Sequence, residues 1–319
     1  MKIVYMGTPD FSVAPLKALI EAGHTVTAVV TQPDKQKGRG KEVSMTPVKE
    51  CALSYGIPVL QPVKIKAPEA VEELKKYEAD IFVVVAFGQL LSEEILNMPK
   101  FGCINLHASL LPKYRGAAPI QWAILNGDKE TGITTFFLKH EIDTGEIIQQ
   151  VRVPIEETDN VGMVHDKLMM LGGKLVGETV DAILAGTVKT IPQEELTTGG
   201  EALRPAPKIF KDTCRIDWNM PVKRIYDFIR GLSPYPAAWT ELVQPDGTVV
   251  VLKIFETEKM EQLHRFSPGT LQTDGKTYIR ISGTDGWISV RALQLPGKKR
   301  LKTDELLRGF KLTEDYKVR

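Results

Sequence analysis

Asn105 and His107 stand two positions apart in a short segment, 103–107, whose other residues are apolar. Such a composition predicts a strand, and alternate side chains of a strand point to opposite faces, so Asn105 and His107 share one face. A buried polar side chain needs a hydrogen-bond partner, and two of them on one face of a buried strand favour a site where that strand ends. Taken alone, so short a pattern favours the alternative of two structural residues with satisfied hydrogen bonds.

The two side chains suit the transfer of an acyl group to an amine. The amide N–H of Asn105 can stabilise the oxyanion that develops at the attacked carbonyl, an interaction worth about 3 kcal/mol in comparable sites. Imidazoles as a class suit proton transfer near neutral pH, so His107 can move a proton from the attacking nitrogen to the leaving one. Neither role requires a metal or a covalent intermediate, so we expect no metal here.

Short β-branched runs alternate with helical patterns over the first 200 residues. They predict strands over 3–6, 25–31, 81–86 and 103–107, and helices over 11–22, 46–56, 67–77 and 159–186. Alternation of this kind predicts an α/β fold with a Rossmann-like, mainly parallel sheet. Because such sheets bind ligands at the carboxyl ends of their strands, we expect Asn105 and His107 to face a cleft there.

The pattern changes after a stretch rich in Pro, Gly and polar residues, which predicts a linker over 190–207 between domains at 1–189 and 208–319. Beyond the linker, one helix near 222–230 is followed by short segments separated by turns such as Pro245-Asp246-Gly247. This spacing predicts a small, mostly antiparallel β-barrel of OB-like type.

Charge is distributed unevenly between the two parts of the chain. Residues 204–319 carry 21 Lys and Arg against 14 Asp and Glu, whereas residues 1–203 carry 20 against 26. A basic second part predicts contact with a polyanion such as nucleic acid. A merely well-solvated surface explains the same balance equally well.

No segment of the sequence predicts export or membrane insertion. The first apolar run is broken at Gly7, too early for a signal peptide, and no later run approaches the ~20 residues that span a bilayer. The three cysteines, Cys51, Cys103 and Cys214, are far apart, which favours neither a disulfide framework nor a zinc site. We therefore expect a cytoplasmic protein. We also expect a monomer, and we expect Cys103 to lie in the core.

A longer motif begins at His107. Residues 107–116 read His-Ala-Ser-Leu-Leu-Pro-Lys-Tyr-Arg-Gly, and Thr131-Gly132 and Asp143-Thr144-Gly145 come later. This series resembles the folate-dependent formyltransferases, whose pattern is Asn-x-His, Ser-Leu-Leu-Pro-x-Tyr-Arg-Gly, Thr-Gly and Asp-Thr-Gly. The resemblance covers nearly the whole chain, including residues 6–11, 87–91 and 233–239, and is strongest to members that act on methionyl-tRNA.

The resemblance implies transfer of the formyl group of 10-formyltetrahydrofolate to methionyl-tRNA, giving the formylmethionyl-tRNA that starts bacterial-type protein synthesis. It adds Asp143 as a third catalytic residue, which would orient the imidazole of His107 and help the proton to move. It also implies two folate-binding segments. In the segment that contains Phe87 and Leu90, core packing of these two side chains is an equal alternative. These segments are Ser109, Leu110, Leu111 and Pro112, and Phe87, Gly88, Gln89 and Leu90.

A long loop over 32–45 follows the second predicted strand. Loops of this length are usually functional or disordered. Glycines flank Arg39, so the loop can present a guanidinium to phosphates or base edges. Composition alone favours a solvated loop, but the resemblance implies that Arg39, with Lys37 and Lys41, contacts the acceptor end of methionyl initiator tRNA.

Other activities remain as alternatives. Related enzymes act on glycinamide ribotide or amino sugars, or hydrolyse formyl-folate. Residues 204–319 disfavour the first, and the loop around Arg39 and the basic balance of the second part disfavour the others. A noncatalytic RNA-binding protein would leave Asn105 and His107 without a purpose. A nicotinamide dehydrogenase is disfavoured because Gly7-Thr8-Pro9-Asp10 lacks the Gly-x-Gly-x-x-Gly spacing.

Overall fold

The structure is a computed structural model that describes residues 1–37, 42–197 and 203–319. The chain forms two compact units. The α/β unit comprises Met1–Pro119, Thr131–Pro154 and His165–Ala206, and the barrel unit comprises Ile120–Glu130, Ile155–Val164 and Pro207–Arg319. The domain boundaries at residues 189 and 208 stay a prediction.

The elements that precede residue 190 are, in chain order, β1 (Lys2–Gly7), α1 (Val13–Glu21), β2 (Thr25–Val30), β3 (Lys35–Lys37), β4 (Glu42–Ser44), α2 (Pro47–Ser54), β5 (Val59–Leu60), α3 (Pro68–Lys75), β6 (Ile81–Val85), α4 (Glu93–Leu96), β7 (Cys103–His107), α5 (Pro119–Leu125), β8 (Glu130–Phe137), β9 (Ile147–Pro154) and α6 (Val161–Leu184). Local sequence explains several helix starts. The Thr46 hydroxyl accepts a hydrogen bond from the backbone N–H of Lys49, and Pro47 opens α2.

The sheet of the α/β unit has the strand order β5-β2-β1-β6-β7-β8-β9. The first five strands in this order run parallel, and β8 is antiparallel to β7. The predicted Rossmann-like, mainly parallel sheet is therefore confirmed. β6 is buried along its whole length, which explains why its sequence, Ile-Phe-Val-Val-Val, is apolar without alternation. β8 and β9 were not predicted, because their Thr, Gln and Arg residues conceal the strand pattern.

Helix α6 covers one face of β7. A Cβ atom on Gly172 would lie only 2.7 Å from Cδ2 of Leu106, and one on Gly173 would lie 3.1 Å from the carbonyl oxygen of Ala14 in α1. Glycine at both positions thus lets the helix approach the sheet closely. Because Leu106 faces α6, the alternating neighbours Asn105 and His107 face the other side of the sheet.

The elements of the second half are α7 (Val222–Leu232), β10 (Ala238–Val243), β11 (Val249–Met260), β12 (Leu271–Thr273), β13 (Ile279–Ser282), β14 (Trp287–Gln294), β15 (Leu301–Lys302), α8 (Thr303–Gly309) and β16 (Lys317–Val318). The pairs β10–β11, β11–β14, β13–β14 and β12–β13 are antiparallel, and a bridge between Thr270 and Lys317 nearly closes the sheet. Ile225 and Ile229 of α7 are buried in the barrel core. The predicted antiparallel barrel is confirmed.

A buried ion pair ties the inserted piece 155–164 into the barrel unit. Arg230 donates through Nε to Oδ1 of Asp227 at 2.8 Å, and through Nη1 to the carbonyl oxygens of Glu156 and Asp159 at 3.0 and 2.9 Å. Asp227 is 1% exposed and Arg230 6%. Removing one partner of such a pair leaves an uncompensated buried charge, so both are needed for this piece to keep its place.

Candidate active site

β7 brings Asn105 and His107 to one face of the sheet. Asn105 pairs with Val84 of β6 on one side and with Phe136 of β8 on the other. Its Oδ1 atom is buried and has no hydrogen-bond partner among the described residues. An unpaired buried amide atom costs about 1–3 kcal/mol, so this atom marks a position where a ligand group is expected. Half a rotation exchanges the two ends of the amide, so an N–H can occupy the same position.

The imidazole of His107 is buried, with one ring nitrogen hydrogen-bonded and the other facing a carboxylate. Its Nε2 atom lies 2.8 Å from the carbonyl oxygen of Tyr114. A carbonyl can only accept, so Nε2 carries the proton of that hydrogen bond and Nδ1 is left for proton exchange. Nδ1 lies 3.7 Å from Oδ2 of Asp143. The structure therefore brings His107 and Asp143 together, although they are 36 positions apart in the sequence.

Asp143 lies in the turn between β8 and β9, with φ of 54° and 7% exposure. Its Oδ2 atom accepts a hydrogen bond of 3.0 Å from the backbone N–H of Gly116. Gly116 has φ of 125°, and a Cβ atom there would lie 2.5 Å from the carbonyl oxygen of Ala206. Glycine is therefore required at the position that binds the carboxylate. Lys139, His140 and Glu141, which precede Asp143 in the chain, are exposed.

The segment 109–112 forms a tight loop after β7. The Ser109 hydroxyl donates to the carbonyl oxygen of Lys113 at 2.7 Å, and the Thr134 hydroxyl donates to that of Ser109 at 2.7 Å. Gln150 of β9 donates to the carbonyl oxygen of Leu111 at 2.8 Å. Ser109, Leu111 and Pro112 are buried, whereas Leu110 is half-buried. The hydroxyl of Ser109 thus serves the loop itself, and Leu110 is the side chain of this segment most available to a ligand.

The segment 87–90 follows β6, which neighbours β7 in the sheet. Phe87 is 2% exposed in the core of the α/β unit, and its carbonyl oxygen accepts from the Thr8 hydroxyl at 2.9 Å. Gln89 accepts from the backbone N–H of Ile65 at 2.8 Å and donates to the carbonyl oxygen of Pro62 at 3.1 Å. Gly88 is exposed, and Leu90 is 55% exposed. Core packing therefore accounts for Phe87, and only Gly88 and Leu90 face solvent.

The predicted nucleic-acid loop begins after β2. Its base is anchored by Asp34, which accepts from Nζ of Lys49 at 2.6 Å and from Nε2 of Gln61 at 2.7 Å. The hydrogen bond from Lys49, with the one from Gln61, lowers the pKa of the Asp34 carboxyl. The strands β3 and β4 form a hairpin in which Lys37 pairs with Glu42. Arg39 and Lys41 lie outside the described residues.

Cys103 is excluded as a nucleophile. Burial raises the pKa of its thiol to about 12, so the reactive thiolate is scarce at neutral pH.

Over residues 1–37, 42–197 and 203–319, no three His, Cys, Asp or Glu side chains are grouped as metal ligands would be. Within the same ranges, every helix is too short or too polar to cross a bilayer.

Several residues that shape the site were missed by the sequence analysis. Tyr114 and Gly116 stand inside the recognised motif, but they act through backbone groups, which side-chain chemistry does not reveal. Thr134 and Gln150 lie on β8 and β9, which the sequence pattern does not reveal. Gln193, whose side chain binds the backbone of the Asp143 turn, lies in the segment predicted to be a linker.

Comparison with known sequences identifies the family. The profile described as "Formyl transferase" matches residues 1–180, and the profile described as "Formyl transferase, C-terminal domain" matches residues 208–311. The chain belongs to the formyl transferase family. It is 64% identical over 319 residues to the methionyl-tRNA formyltransferase of Bacteroides fragilis, an alignment that covers 100% of this chain and 98% of the relative.

Solved structures share the fold. A sugar 3N-formyl transferase, solved with dTDP and 5-N-formyl-THF, has a TM-score of 0.63 at 19% identity, covering 94% of this chain and 99% of that chain. HypX from Aquifex aeolicus in complex with tetrahydrofolic acid has a TM-score of 0.64 at 17% identity, covering 96% of this chain and 47% of that chain. At these identities the similarity establishes the fold alone.

Proposed function

We propose that this protein transfers the formyl group of 10-formyltetrahydrofolate to the α-amino group of methionyl-tRNA, giving formylmethionyl-tRNA for translation initiation. The observation that carries the proposal is the 64% identity to a methionyl-tRNA formyltransferase, which extends over the full length of this chain. The geometry around His107 supports the chemistry, because an amide, an imidazole and a carboxylate lie on or beside the end of β7.

In the proposed reaction, the amino nitrogen attacks the formyl carbon, and the bond from that carbon to the folate nitrogen breaks. The carbonyl oxygen becomes negatively charged in between. Asn105 is assigned to stabilise this oxygen, because its buried amide atom without a partner can turn its N–H toward a ligand. A donor already aimed at a developing oxyanion typically contributes about 3 kcal/mol to lowering the barrier.

His107 and Asp143 are assigned the proton that must leave the attacking amine and reach the folate nitrogen. Nε2 of His107 is engaged by Tyr114, so Nδ1 is the nitrogen that exchanges the proton. A proton on Nδ1 lies beside the Asp143 carboxylate, which stabilises the imidazolium. The attacking amine itself needs little assistance, since a free α-amine titrates at about 7.7–8.0 and is substantially neutral near pH 7.5.

Folate is assigned to the segments that follow β6 and β7. Leu110 and Leu90 supply the available apolar side chains, while Gly88 lets a ligand approach the backbone closely. Apolar surface with a few backbone hydrogen bonds suits a flat heterocycle. Ser109, Leu111, Pro112, Phe87 and Gln89 hold these segments in shape, and they are assigned to the folate through their backbone groups.

The transfer RNA is assigned to two basic surfaces. Arg39, with Lys37 and Lys41, is assigned to the acceptor end, as the loop begins at the carboxyl end of β2. In the barrel unit, the exposed basic side chains around β15 would contact phosphates; they are Lys298, Lys299, Arg300 and Lys302. Such contacts are independent of sequence and sensitive to salt.

One assay tests the proposal against its rivals. Purified protein is mixed with 10-formyltetrahydrofolate and methionyl-tRNA, and formylmethionyl-tRNA is measured after acid gel separation. Uncharged tRNA, glycinamide ribotide and a nucleotide-linked amino sugar serve as alternative acceptors, and a reaction without acceptor reports hydrolysis. Formylation of methionyl-tRNA alone supports the proposal; preference for another acceptor, or hydrolysis alone, contradicts it.

We also propose that the protein acts as a monomer in the cytoplasm. Its three cysteines are free and buried, which suits a reducing compartment. Light scattering at micromolar concentration is expected to give the mass of one chain. A doubled mass contradicts the monomer.

A further inference from the structure

The turn that carries Asp143 is conformationally demanding. Asp143 itself has a positive φ of 54°, and a side chain on Gly145 would overlap the carbonyl oxygen of Phe137. A left-handed non-glycine residue persists only where its surroundings determine it. The turn is not part of a strand or helix, so contacts from elsewhere in the α/β unit must hold it.

Gln193 supplies such contacts. Its Nε2 atom donates to the carbonyl oxygens of Asp143 and Gly145 at 2.8 and 2.7 Å. Its Oε1 atom accepts from Nε and Nη2 of Arg115 at 3.0 and 2.6 Å. These partners determine the orientation of the Gln193 amide. In the reversed orientation, the amide oxygen would lie against two carbonyl oxygens and the NH₂ group would lie against the Arg115 guanidinium, so neither end could form a hydrogen bond. At 1% exposure, Gln193 uses its full donor capacity on this turn.

Three consecutive residues connect this clamp to the catalytic pair. Tyr114 accepts from His107, Arg115 holds Gln193, and Gly116 donates to the Asp143 carboxylate. The carbonyl oxygen of Tyr114 therefore fixes the orientation of the His107 imidazole. Asp143 is held at its carboxylate by Gly116 and at its main chain by Gln193. The distance between the side chains of His107 and Asp143 therefore depends both on the segment 114–116 and on Gln193.

We propose that Gln193 is a positioning residue for formyl transfer, which holds the Asp143 turn so that its carboxylate faces His107, with Arg115 fixing the amide of Gln193. The inference rests on the proposed function, since it concerns the same reaction. It assigns a role in the site to residues 190–197, which the sequence marks only as part of a linker. A displacement of about 1 Å in a catalytic group can cost ~10²-fold in rate, so loss of the clamp is expected to be visible in turnover.

The test begins with Gln193→Leu, which keeps the size of the side chain and removes both sets of hydrogen bonds. We expect kcat to fall by about 10- to 100-fold, with KM for 10-formyltetrahydrofolate and for methionyl-tRNA changed by less than about threefold. Arg115→Lys retains the charge but not the paired donors, so its kcat is expected to lie between those of Gln193→Leu and the wild type.

The chain offers a matched control. In the barrel unit, Oε1 of Gln272 accepts from Nε and Nη2 of Arg280 at 2.9 and 2.7 Å, the same arrangement without a catalytic turn attached. Gln272→Leu is expected to leave kcat unchanged. An equal loss of kcat in both leucine variants would mean that breaking any such pair disturbs the protein generally, and it would overturn the proposal.

A double-mutant cycle separates positioning from general stability. If Gln193 acts only through Asp143, adding Gln193→Leu to Asp143→Asn lowers kcat by less than about threefold beyond the single variant. If the kcat losses of the two single variants multiply in the double variant, the two residues act independently and the proposal is overturned. A Gln193→Leu variant with wild-type kcat overturns it as well. Should Gln193→Leu not fold, Gln193→Glu replaces it: the carboxylate keeps Arg115 but presents no donor to the turn, and the same losses are expected.

The activity of the wild-type protein distinguishes failure of the proposed function from failure of the positioning role of Gln193. Absence of formyl transfer to methionyl-tRNA by the wild type refutes the proposed function. Transfer by the wild type, loss in Asp143→Asn and no loss in Gln193→Leu refute only the positioning role.

Discussion

Nδ1 of His107 lies 3.7 Å from Oδ2 of Asp143, slightly beyond the length of a hydrogen bond. A small movement on ligand binding would bring the two atoms into direct contact. The other imidazole nitrogen is already held by Tyr114. The pair is therefore oriented for proton exchange on the side of the carboxylate.

Asp143→Asn is expected to lower kcat by about 10²-fold, because general acid–base groups contribute 10²- to 10⁴-fold and the amide lacks the charge that stabilises the imidazolium. The amide oxygen can still accept from Gly116, so the fold should persist. Single-turnover formylation measures the rate, and thermal unfolding checks the fold. A wild-type rate would remove Asp143 from the mechanism.

Asn105→Ala is expected to lower kcat/KM for methionyl-tRNA by about 10²- to 10³-fold, since it removes a donor from the developing oxyanion. The position pairs with Val84 and Phe136 through backbone groups, which alanine retains. Asn97→Ala, at an exposed position after α4, is the matched control. Equal rates in both variants would contradict the oxyanion role.

Arg39→Ala is expected to reduce formylation of methionyl-tRNA sharply while binding of folate remains as in the wild type. The reason is that the guanidinium is assigned to the nucleic acid and not to the cosubstrate. Equilibrium titration with folate and steady-state kinetics with tRNA separate the two effects. Lys17→Ala, exposed on α1, is the control, and unchanged turnover in Arg39→Ala would refute the role of this loop.

The double variant Lys298→Gln, Lys299→Gln is expected to weaken tRNA binding and to flatten its salt dependence. Each phosphate contact contributes a slope of about 0.7–0.9 in log Kd against log salt, so two lost contacts lower the slope by about 1.5. Filter binding between low and moderate salt measures this slope. An unchanged slope would show that these two lysines do not contact phosphates.

Cys103 is expected to resist alkylation in the native protein. Its thiol pKa of about 12 leaves roughly one molecule in 10⁴ as thiolate at pH 8. Mass spectrometry after iodoacetamide treatment should find Cys103 unlabelled in buffer and labelled in guanidinium chloride. Rapid labelling of the folded chain at pH 8 would contradict the assigned burial.

Periodicity and residue type in the sequence determined much of the architecture. The apolar runs of β2 and β6 predicted a buried parallel sheet, because strands covered on both faces seldom alternate with polar residues. Alternation within β7 also determined that Asn105 and His107 share a face. The turn residues after position 244 predicted the barrel.

Only the tertiary structure decided which distant residues meet. Asp143 was joined to His107 by family resemblance alone, since no local pattern relates positions 36 apart; the folded turn places its carboxylate beside the imidazole. Backbone groups of Tyr114 and Gly116, and the buried amide of Gln193, hold this arrangement. Their contribution comes from hydrogen bonds between segments far apart in the chain, and such bonds leave no period or composition in the sequence.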